Sequence, residues 1–296
     1  MQHLLQPRIP VSVVIPTYNA ANTLPRAIQS VARQSLLPAD IVIVDDASTD
    51  NTINVIKQLC ATYIELTIRV ISLSKNSGPG TARNVGWNAS SEQYIAFLDS
   101  DDTWHPQKLE VQYQWMHRNP DTAICGHICQ VWQTQPSIEF VHITNSDSLG
   151  YKRLALRSFL FGNQLSTPTV MLTRKIQERF LDGKRCSEDY LLWTQIVSAH
   201  GPAGFIQLPL AFLHKPTYGA SGLSGNLWEM QKGEIDSLLR LRRSSVFHLT
   251  RVYWFVVLVV SWLKFVKRLF VRLASLVQRS LRWKRRSRKA GSPNEL

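Results

Sequence analysis

Cysteine is scarce in this chain, and its scarcity excludes a small secreted domain held together by disulfides. The chain has 296 residues and four cysteines, Cys60, Cys125, Cys129 and Cys186. Four widely spaced cysteines do not make the dense framework that such domains need. Cys125 and Cys129 have no second Cys/His pair at zinc spacing, so we predict free, buried thiols. The N-terminus also lacks a charged region leading into a long apolar run, which predicts no secretory signal and a reducing cytosolic setting.

Acidic residues are almost missing from the C-terminal part of the chain. Residues 240–296 contain 15 Lys or Arg and one acid, Glu295, a net charge of +14. Residues 1–239 contain 19 Lys or Arg and 20 Asp or Glu, a net charge of −1. The positive charge is therefore confined to a tail, which argues against a protein that binds polyanions over its whole surface.

Apolar runs of about 20 residues, the length that crosses a bilayer, are also missing. The uncharged stretch 252–263 has 12 residues and is bounded by Arg251 and Lys264. Beyond it, apolar residues recur at helical spacing, Lys and Arg occupy other faces, and the tail contains three tryptophans: Trp254, Trp262 and Trp283. This pattern predicts basic amphipathic helices that lie on an anionic membrane surface. The alternatives are a helix docked on the body or a partner, or a segment that enters the bilayer. We predict no nucleic-acid partner, because DNA binding does not need so wide an apolar face.

Short apolar segments alternate with helical patterns in the first 118 residues. Strands are predicted over 11–15, 41–44, 67–73 and 94–98, and helices over 22–34, 48–59, 81–88 and 106–118. This alternation predicts an α/β fold with a parallel, doubly wound sheet, in which ligands bind at the carboxyl ends of the strands. Further along, we predict strands at 123–132, 140–143, 167–172 and 205–213 and helices at 151–161 and 188–199.

Polar residues follow all four predicted strands of the first part. Thr17 and Asn19 follow the first, Asp46 the second and Asn76 the third, and an acidic group follows the fourth: Asp99, Asp101 and Asp102. Three carboxylates in four residues at a strand end need a counter-charge. A divalent cation, Mn²⁺ or Mg²⁺, supplies one and keeps positions open for substrate phosphates.

Four sequence blocks carry a resemblance to a known family. They are VVIPTYNA at 13–20, IVDDASTDNT at 43–52, NSGPGTARN at 76–84 and FLDSDD at 97–102. Their order and spacing resemble the family 2 glycosyltransferases of the GT-A fold over residues 11–110, and the match is traceable to about 225. The resemblance implies a GT-A fold, a Rossmann-like and mostly parallel sheet with flanking helices, and a nucleotide-sugar donor, usually a UDP-sugar.

The resemblance also assigns roles to residues at the strand ends. The implied nucleotide-sugar-binding residues are Pro16, Thr17, Tyr18, Asn19, Asp46, Asn76, Arg83, Asp99 and Ser100. The implied metal ligands are Asp101, Asp99 and His214, although the family's usual pattern around the histidine is not cleanly present. Each of two of these residues also has a simpler, structural interpretation. Tyr18 could be a core aromatic residue, and Arg83 could be one half of a structural salt bridge.

A second acidic pair opens the predicted helix at 188–199. Carboxylates favour a helix N-terminus through the macrodipole, so Glu188 and Asp189 have a purely structural interpretation. The pair also resembles the family's Glu-Asp-x-x-Leu-Trp block, which implies that Asp189 is the base that deprotonates the acceptor hydroxyl during inversion. Glu188 would then orient the acceptor. Trp193, one turn further on, would either line the acceptor site or pack in the core.

The segment after this helix and the tail complete the prediction. Lys215 is a candidate diphosphate contact, and a loop with Gly219, Gly222 and Gly225 is a candidate lid. The Gln-x-x-Arg-Trp block of processive synthases is missing, which favours transfer of one sugar per encounter. We expect a catalytic domain at 1–225, a helical linker at 226–245 and a basic membrane-binding tail at 246–296.

The sequence therefore predicts an inverting glycosyltransferase at the cytoplasmic face of the inner or plasma membrane, bound peripherally. The membrane helix motivates the acceptor, a glycolipid or lipid-linked glycan in polysaccharide or lipopolysaccharide synthesis. The alternative is a non-catalytic, membrane-bound subunit that binds nucleotide sugars or acts as a scaffold.

Overall fold

A computed structural model describes residues 7–132, 143, 150–214, 226–244, 246, 247 and 249–290, with the side chains of the last helix described as far as residue 272. The first part of the chain follows the predicted alternation closely. Its elements are β1 (Arg8–Thr17), α1 (Leu24–Ala32), β2 (Leu37–Asp45), α2 (Thr52–Thr62), β3 (Ile68–Ser72), α3 (Pro79–Ala89), β4 (Tyr94–Phe97), β5 (Thr103–Trp104) and α4 (Lys108–Arg118).

The second part departs from the prediction at two places. Its elements are β6 (Ile124–Val131), β7 (Tyr151–Leu154), α5 (Leu156–Phe159), a 3-10 helix (Thr167–Thr169), β8 (Met171–Thr173), α6 (Glu188–His200), β9 (Ala203–Leu213), α7 (Leu227–Arg243) and α8 (Arg251–Ala290). The prediction of a helix over 151–161 is wrong, because residues 151–154 form β7 and pair with β9. Only the single turn α5 of the predicted helix is present. The strand predicted over 167–172 begins only at Met171. The strand predicted at 140–143 lies outside the described residues except for Ile143.

Within the described part of the chain, one mixed sheet of nine strands forms the centre of the fold. Its order is β3-β2-β1-β4-β8-β6-β9-β5, and β7 pairs with β9 off this path. The four strands β3, β2, β1 and β4 are parallel, as predicted. β8 runs antiparallel to β4 and β6, so the sheet is not parallel throughout. The carboxyl ends of the four parallel strands meet along one edge, where Thr17 of β1 is in register with Asp45 of β2.

The core lies on both faces of this sheet, which explains why β1 and β2 are continuous apolar runs. Val13 and Ile15 pack on the face covered by α1, and Val14 packs on the face covered by α3. Helix α3 approaches β1 so closely that a Cβ at Gly86 would lie 2.4 Å from a Val14 methyl carbon.

The two C-terminal helices pack against the body. Helix α7 is capped by Asn226, whose side chain accepts a hydrogen bond from the Glu229 N–H at 3.2 Å. Helix α8 has 40 residues, about 60 Å at 1.5 Å per residue, and buries Trp254, Val257 and Ser261 in its first turns. Among the described residues, no helix has an apolar stretch of the length and hydropathy that a membrane crossing needs.

The opposite side of α8 is exposed and apolar. These side chains follow helical spacing over about five turns: Val252, Phe255, Val256, Val259, Leu263, Val266 and Phe270. One face of the helix therefore docks on the body, as one of the alternatives had it, while the other face is left uncovered by the described residues and its contact with a membrane stays a prediction.

Candidate active site

The loops that follow β1 and β2 form one wall of a crevice at the strand ends. Pro16 and Thr17 are buried at the end of β1, whereas Tyr18 is 47% exposed and so does not take the core role. Asn19 adopts a left-handed conformation with φ of 48°, which asparagine tolerates. Its side-chain oxygen accepts a hydrogen bond from the Thr49 N–H at 2.8 Å, which joins the two loops.

Asp46 fixes the turn that leads into α3. One carboxylate oxygen accepts from the Ser77 N–H at 2.7 Å and the other from the Gly78 N–H at 2.8 Å. Gly78 has φ of +90°, a conformation that glycine adopts without strain. The predicted contact between Asp46 and a base or ribose stays a prediction. Asn76, just before this turn, accepts a hydrogen bond from the Arg185 guanidinium.

Arg83 of α3 joins the two acidic groups of the site. It donates to Asp99 at 2.7 Å and to Glu188 at 3.0 Å, and its guanidinium lies 5.4 Å from the centre of the Phe180 ring. Burial opposes the charged form, but attraction to the two carboxylates outweighs it and raises the pKa of Arg83. The buried cation therefore brings together two carboxylates that are far apart in the sequence. Arg83 forms salt bridges with both, as one of its two interpretations predicted.

The acidic group after β4 contains carboxylates in different surroundings. Asp99 is 27% exposed in its side chain, whereas Asp102 is buried. Burial, followed by repulsion from Asp99 and Asp101, raises the pKa of Asp102 to about 8. Ser100, between the predicted ligands, is partly buried. The Asp102 N–H donates to the Asp99 carbonyl at 3.0 Å, which makes the chain turn tightly here.

His214, at the end of β9, lies beside this acidic group. The pairing of β5 with β9 puts its Nε2 2.9 Å from the Thr103 hydroxyl oxygen, and its ring stacks on Trp132 with centres 5.5 Å apart. Burial, helped by the charge of Arg26, lowers the pKa of His214, so the imidazole is neutral near pH 7. Lys215 and the glycine-rich loop lie outside the described residues.

In the described part of the chain, no three His, Cys, Asp or Glu side chains are arranged to hold a metal by themselves. Asp99, Asp101 and His214 thus remain a predicted ligand set. Two carboxylates and a neutral imidazole have the donor chemistry that Mn²⁺ accepts, and an incomplete protein set leaves room for phosphate oxygens. The four cysteines form no disulfide; Cys125 is buried, whereas Cys60, Cys129 and Cys186 are partly buried.

The second acidic pair begins α6. Ser187 precedes it with φ of 56°, in the left-handed region. Glu188 is buried, and its burial, with repulsion from Asp189, raises its pKa to about 7 although Arg83 opposes the shift. Asp189 accepts hydrogen bonds from the Asn163 amide at 2.7 Å and the Tyr190 N–H at 2.7 Å.

Burial raises the pKa of Asp189 above its ordinary value of 3.8, although these two hydrogen bonds and the charge of Arg83 favour its ionised form. A carboxylate with a raised pKa, held by hydrogen bonds, is suited to accept a proton.

Trp193 lies in the core and not at the crevice. Its side chain is fully buried, and its ring packs 5.4 Å from Phe180 and 6.1 Å from Phe97. Trp193 is therefore not placed to line an acceptor site, because its ring is buried against Phe180 and Phe97. Of the two roles left open for Trp193, the structure corresponds to the core role.

The family model for Glycosyl transferase family 2 matches residues 12–175, more than half of the chain. The chain belongs to this family. The match runs from within β1 to just past β8 and includes the acidic group after β4, but ends before Glu188, Asp189 and His214.

Two bacterial relatives extend beyond the family match. TuaG of Bacillus subtilis, named as a glycosyltransferase of teichuronic acid biosynthesis, is 33% identical over 189 residues, which are 63% of this chain and 71% of TuaG. The Escherichia coli protein WfgD, named as a UDP-Glc:α-D-GlcNAc-diphosphoundecaprenol β-1,3-glucosyltransferase, is 28% identical over 77% of this chain and 85% of its own length. Other relatives are much longer, since the match to an uncharacterised glycosyltransferase of Rickettsia felis spans 31% of that protein.

Solved structures show the same fold. Residues 1–349 of Staphylococcus aureus TarS in complex with UDP-GlcNAc superpose with a TM-score of 0.64 at 19% identity, over 89% of this chain and 73% of that one. The mannosyltransferase PcManGT of Pyrobaculum calidifontis, in complex with GDP-Man and Mn²⁺, has a TM-score of 0.62 at 16% identity, over 90% and 76%. The mixed sheet with flanking helices is therefore the GT-A fold.

The sequence analysis missed several residues of this family 2 site. Asn163 and Arg185 donate to Asp189 and Asn76, and the Thr103 hydroxyl lies within hydrogen-bond distance of His214. None of them belongs to the four blocks that carry the resemblance. Each acts across at least 26 residues of sequence, so no local spacing indicates the contact.

Proposed function

We propose that the chain is an inverting glycosyltransferase that moves one sugar from a nucleotide sugar, a UDP-sugar, to a glycolipid or lipid-linked glycan in cell-surface polysaccharide or lipopolysaccharide synthesis. One observation carries the proposal. Arg83 bridges Asp99 of the acidic group and Glu188 beside Asp189, so the two halves of a transfer site adjoin one another. A diphosphate leaving group and an acceptor hydroxyl need these two halves on opposite sides of one anomeric carbon.

The donor side is the wall built by the first four strand ends. Tyr18 presents an exposed ring for a base, and Asp46, Asn76 and Ser100 are the proposed contacts to the rest of the nucleoside. Asp99, Asp101 and His214, completed by oxygens of the donor diphosphate, would hold a divalent cation, Mn²⁺ or Mg²⁺, which supplies charge stabilisation to the departing diphosphate. The solved complex of PcManGT with Mn²⁺ supports the use of a divalent metal.

The acceptor side is the start of α6. Asp189 takes the proton of the attacking hydroxyl, and its raised pKa makes it a better base than a solvated aspartate. Asn163 keeps one of its oxygens engaged, which leaves the carboxylate fixed in direction. Glu188 orients the acceptor from its position between Asp189 and Arg83.

The membrane is the proposed source of the acceptor. The name of WfgD includes a diphosphoundecaprenol acceptor, which supports a lipid-linked glycan as the acceptor of this chain. The exposed apolar side of α8 and the +14 charge of residues 240–296 support peripheral binding to an anionic surface on the cytoplasmic side. We also propose the division of the chain into a catalytic domain at 1–225, a helical linker at 226–245 and a basic membrane-binding tail at 246–296.

Donor binding and transfer can be measured on the same preparation. A panel of UDP-sugars and GDP-mannose, each with and without Mn²⁺, is screened for thermal stabilisation and then for transfer to a polyprenyl-diphosphate sugar in anionic vesicles. We expect one UDP-sugar to raise the melting temperature and to give a product with one added sugar of inverted anomeric configuration. Stabilisation without transfer to any acceptor supports the scaffold alternative, and no stabilisation by any donor contradicts both.

A further inference from the structure

One short loop contacts both the predicted base and helix α8. The loop consists of residues 160–163 and follows α5. Its Asn163 donates to Asp189 at 2.7 Å, and the carbonyl oxygen of Phe161 accepts from the Lys264 ammonium at 2.8 Å. Gly162 lies between them with φ of +136°, and a Cβ there would lie 3.0 Å from the Lys264 nitrogen. Lys264 of the tail therefore contacts Phe161, which lies two positions before Asn163, the residue that bonds to the predicted base.

Lys264 is fixed in turn by a buried carboxylate of α7. Glu234 is 7% exposed and accepts from Lys264 at 2.7 Å, from the Ser261 hydroxyl at 2.9 Å and from Arg268 at 3.2 Å. Burial alone opposes ionisation of Glu234, but its bonds to Lys264 and the nearby charges outweigh burial and lower its pKa. A buried ionised carboxylate gives Lys264 one defined position, with a hydrogen left for the Phe161 carbonyl.

Helix α7 packs on the backbone that leads into the predicted base. A Cβ at Gly233 would lie 2.6 Å from the Cys186 carbonyl oxygen, so α7 packs directly on the backbone before α6. The Ser237 hydroxyl donates to the Ser187 carbonyl at 3.2 Å, two residues before Asp189. The start of α6 and the loop that orients its second residue are thus both supported by C-terminal helices.

We propose that α8 positions the base of the transfer reaction: Lys264 holds the 160–163 loop through the Phe161 carbonyl, and Asn163 of that loop orients Asp189. The proposal rests on the proposed function for the role of Asp189. Lys264 and Asn163 are positioning residues, because neither takes the proton. The helix that offers an apolar face to a membrane is then also part of the active site, which couples the placement of the acceptor surface to the geometry of the base.

The kinetic test compares Lys264→Met with Lys267→Met. Both changes remove one ammonium from α8, but Lys267 is exposed, whereas Lys264 is half-buried and bonds to Phe161 and Glu234. We expect Lys264→Met to lower kcat about tenfold or more with the donor KM within twofold, because a base displaced by a fraction of an ångström loses rate rather than donor binding. Lys267→Met should keep the wild-type kcat, and Lys264→Arg, which keeps N–H donors, should recover most of it. Equal kcat values for the two Met variants overturn the proposal.

A second measurement does not depend on activity. In the loop, the Gly162 N–H donates to the Phe159 carbonyl and the Leu165 N–H donates to the Asn163 side chain at 3.1 Å, so both amides report on loop order. Hydrogen exchange at these amides should be at least tenfold faster in Lys264→Met than in Lys267→Met, at matched melting temperatures. If the wild-type protein transfers no sugar, the proposed function fails, and hydrogen exchange at these amides alone decides whether Lys264 holds the loop. Unchanged exchange contradicts the inference even when transfer is observed.

Discussion

Arg83→Met is the substitution that most directly probes the junction of the two acidic groups. The change keeps an unbranched side chain against Phe180 but removes the cation between Asp99 and Glu188. The side chains of Arg83 and Glu188 are 6% and 10% exposed, so solvent screens their interaction little. Removing one partner of a buried ion pair costs about 3–5 kcal/mol, because a buried charge is left without compensation.

The pKa of Glu188 sets where in this range the loss should fall. Burial and repulsion from Asp189 already raise its pKa, and loss of Arg83 raises that pKa further, so Glu188 takes up a proton more readily in the variant. Protonation relieves part of the cost, so we expect a loss of about 3 kcal/mol in the free energy of unfolding. Adding Glu188→Gln to Arg83→Met should recover at least half of that loss, since it removes the unpaired charge.

Urea unfolding followed by tryptophan fluorescence measures this loss, and Trp193 in the adjoining core supplies a signal. Lys232→Met is the matched control. It breaks an ion pair with Glu229 whose partners are 57% and 50% exposed, for which we expect a change of about 0–1 kcal/mol. A loss below about 1 kcal/mol in Arg83→Met, or no recovery in the double variant, would refute the reasoning that the bridge is buried and structural.

Four further predictions follow from the same contacts. As pH falls, kcat should drop with an apparent pKa above 3.8, because burial raises the pKa of Asp189 and a protonated Asp189 cannot accept the proton of the acceptor; an acid limb at or below pH 3.8 in a pH–rate profile contradicts this. Gly86→Ala should destabilise the fold by about 1–3 kcal/mol in urea unfolding, since its Cβ would lie 2.4 Å from Val14, and an unchanged midpoint contradicts the close packing. Phe255→Ser with Phe270→Ser should reduce flotation with anionic vesicles at least tenfold, because both rings are 67% exposed, and full flotation would assign binding to the basic charge alone. Asp101→Asn should weaken Mn²⁺-dependent stabilisation by UDP at least tenfold in concentration, and an unaltered Mn²⁺ titration removes Asp101 as a ligand.

The part of the fold that could be predicted from the sequence is the part built from local signals. The strands β1, β2 and β4 are β-branched or aromatic runs buried on both faces, and Asn19, Asp46 and Asp99 follow within two residues of their ends. The strand ends therefore indicated the site before any contact was known. The fold class and family followed from the order of the four blocks.

The segments that were predicted wrongly depend on partners far away in the sequence. Tyr151–Leu154 has no alternation of apolar and polar residues, and becomes a strand only because β9 pairs with it. The strand β8 has three residues, too few for a periodic signal, and is defined by its place between β4 and β6.

The same reason accounts for the parts of the site that were missed. Asn163 is one amide in an irregular loop, and its bond to Asp189 exists because α5, α6 and α8 meet there. The packing role of Trp193 depends on Phe180 and Phe97, which lie on other elements.

The central claim is that Asp189 removes a proton from an acceptor while the donor is held by the strand-end wall. Asp189→Asn tests it most directly when donor binding and transfer are measured on one preparation, with exposed Asp182→Asn as the matched control. We predict a UDP-sugar Kd within twofold of wild type in both variants and a transfer rate at least about 100-fold lower in Asp189→Asn alone. Transfer by Asp189→Asn within tenfold of the control would contradict the account.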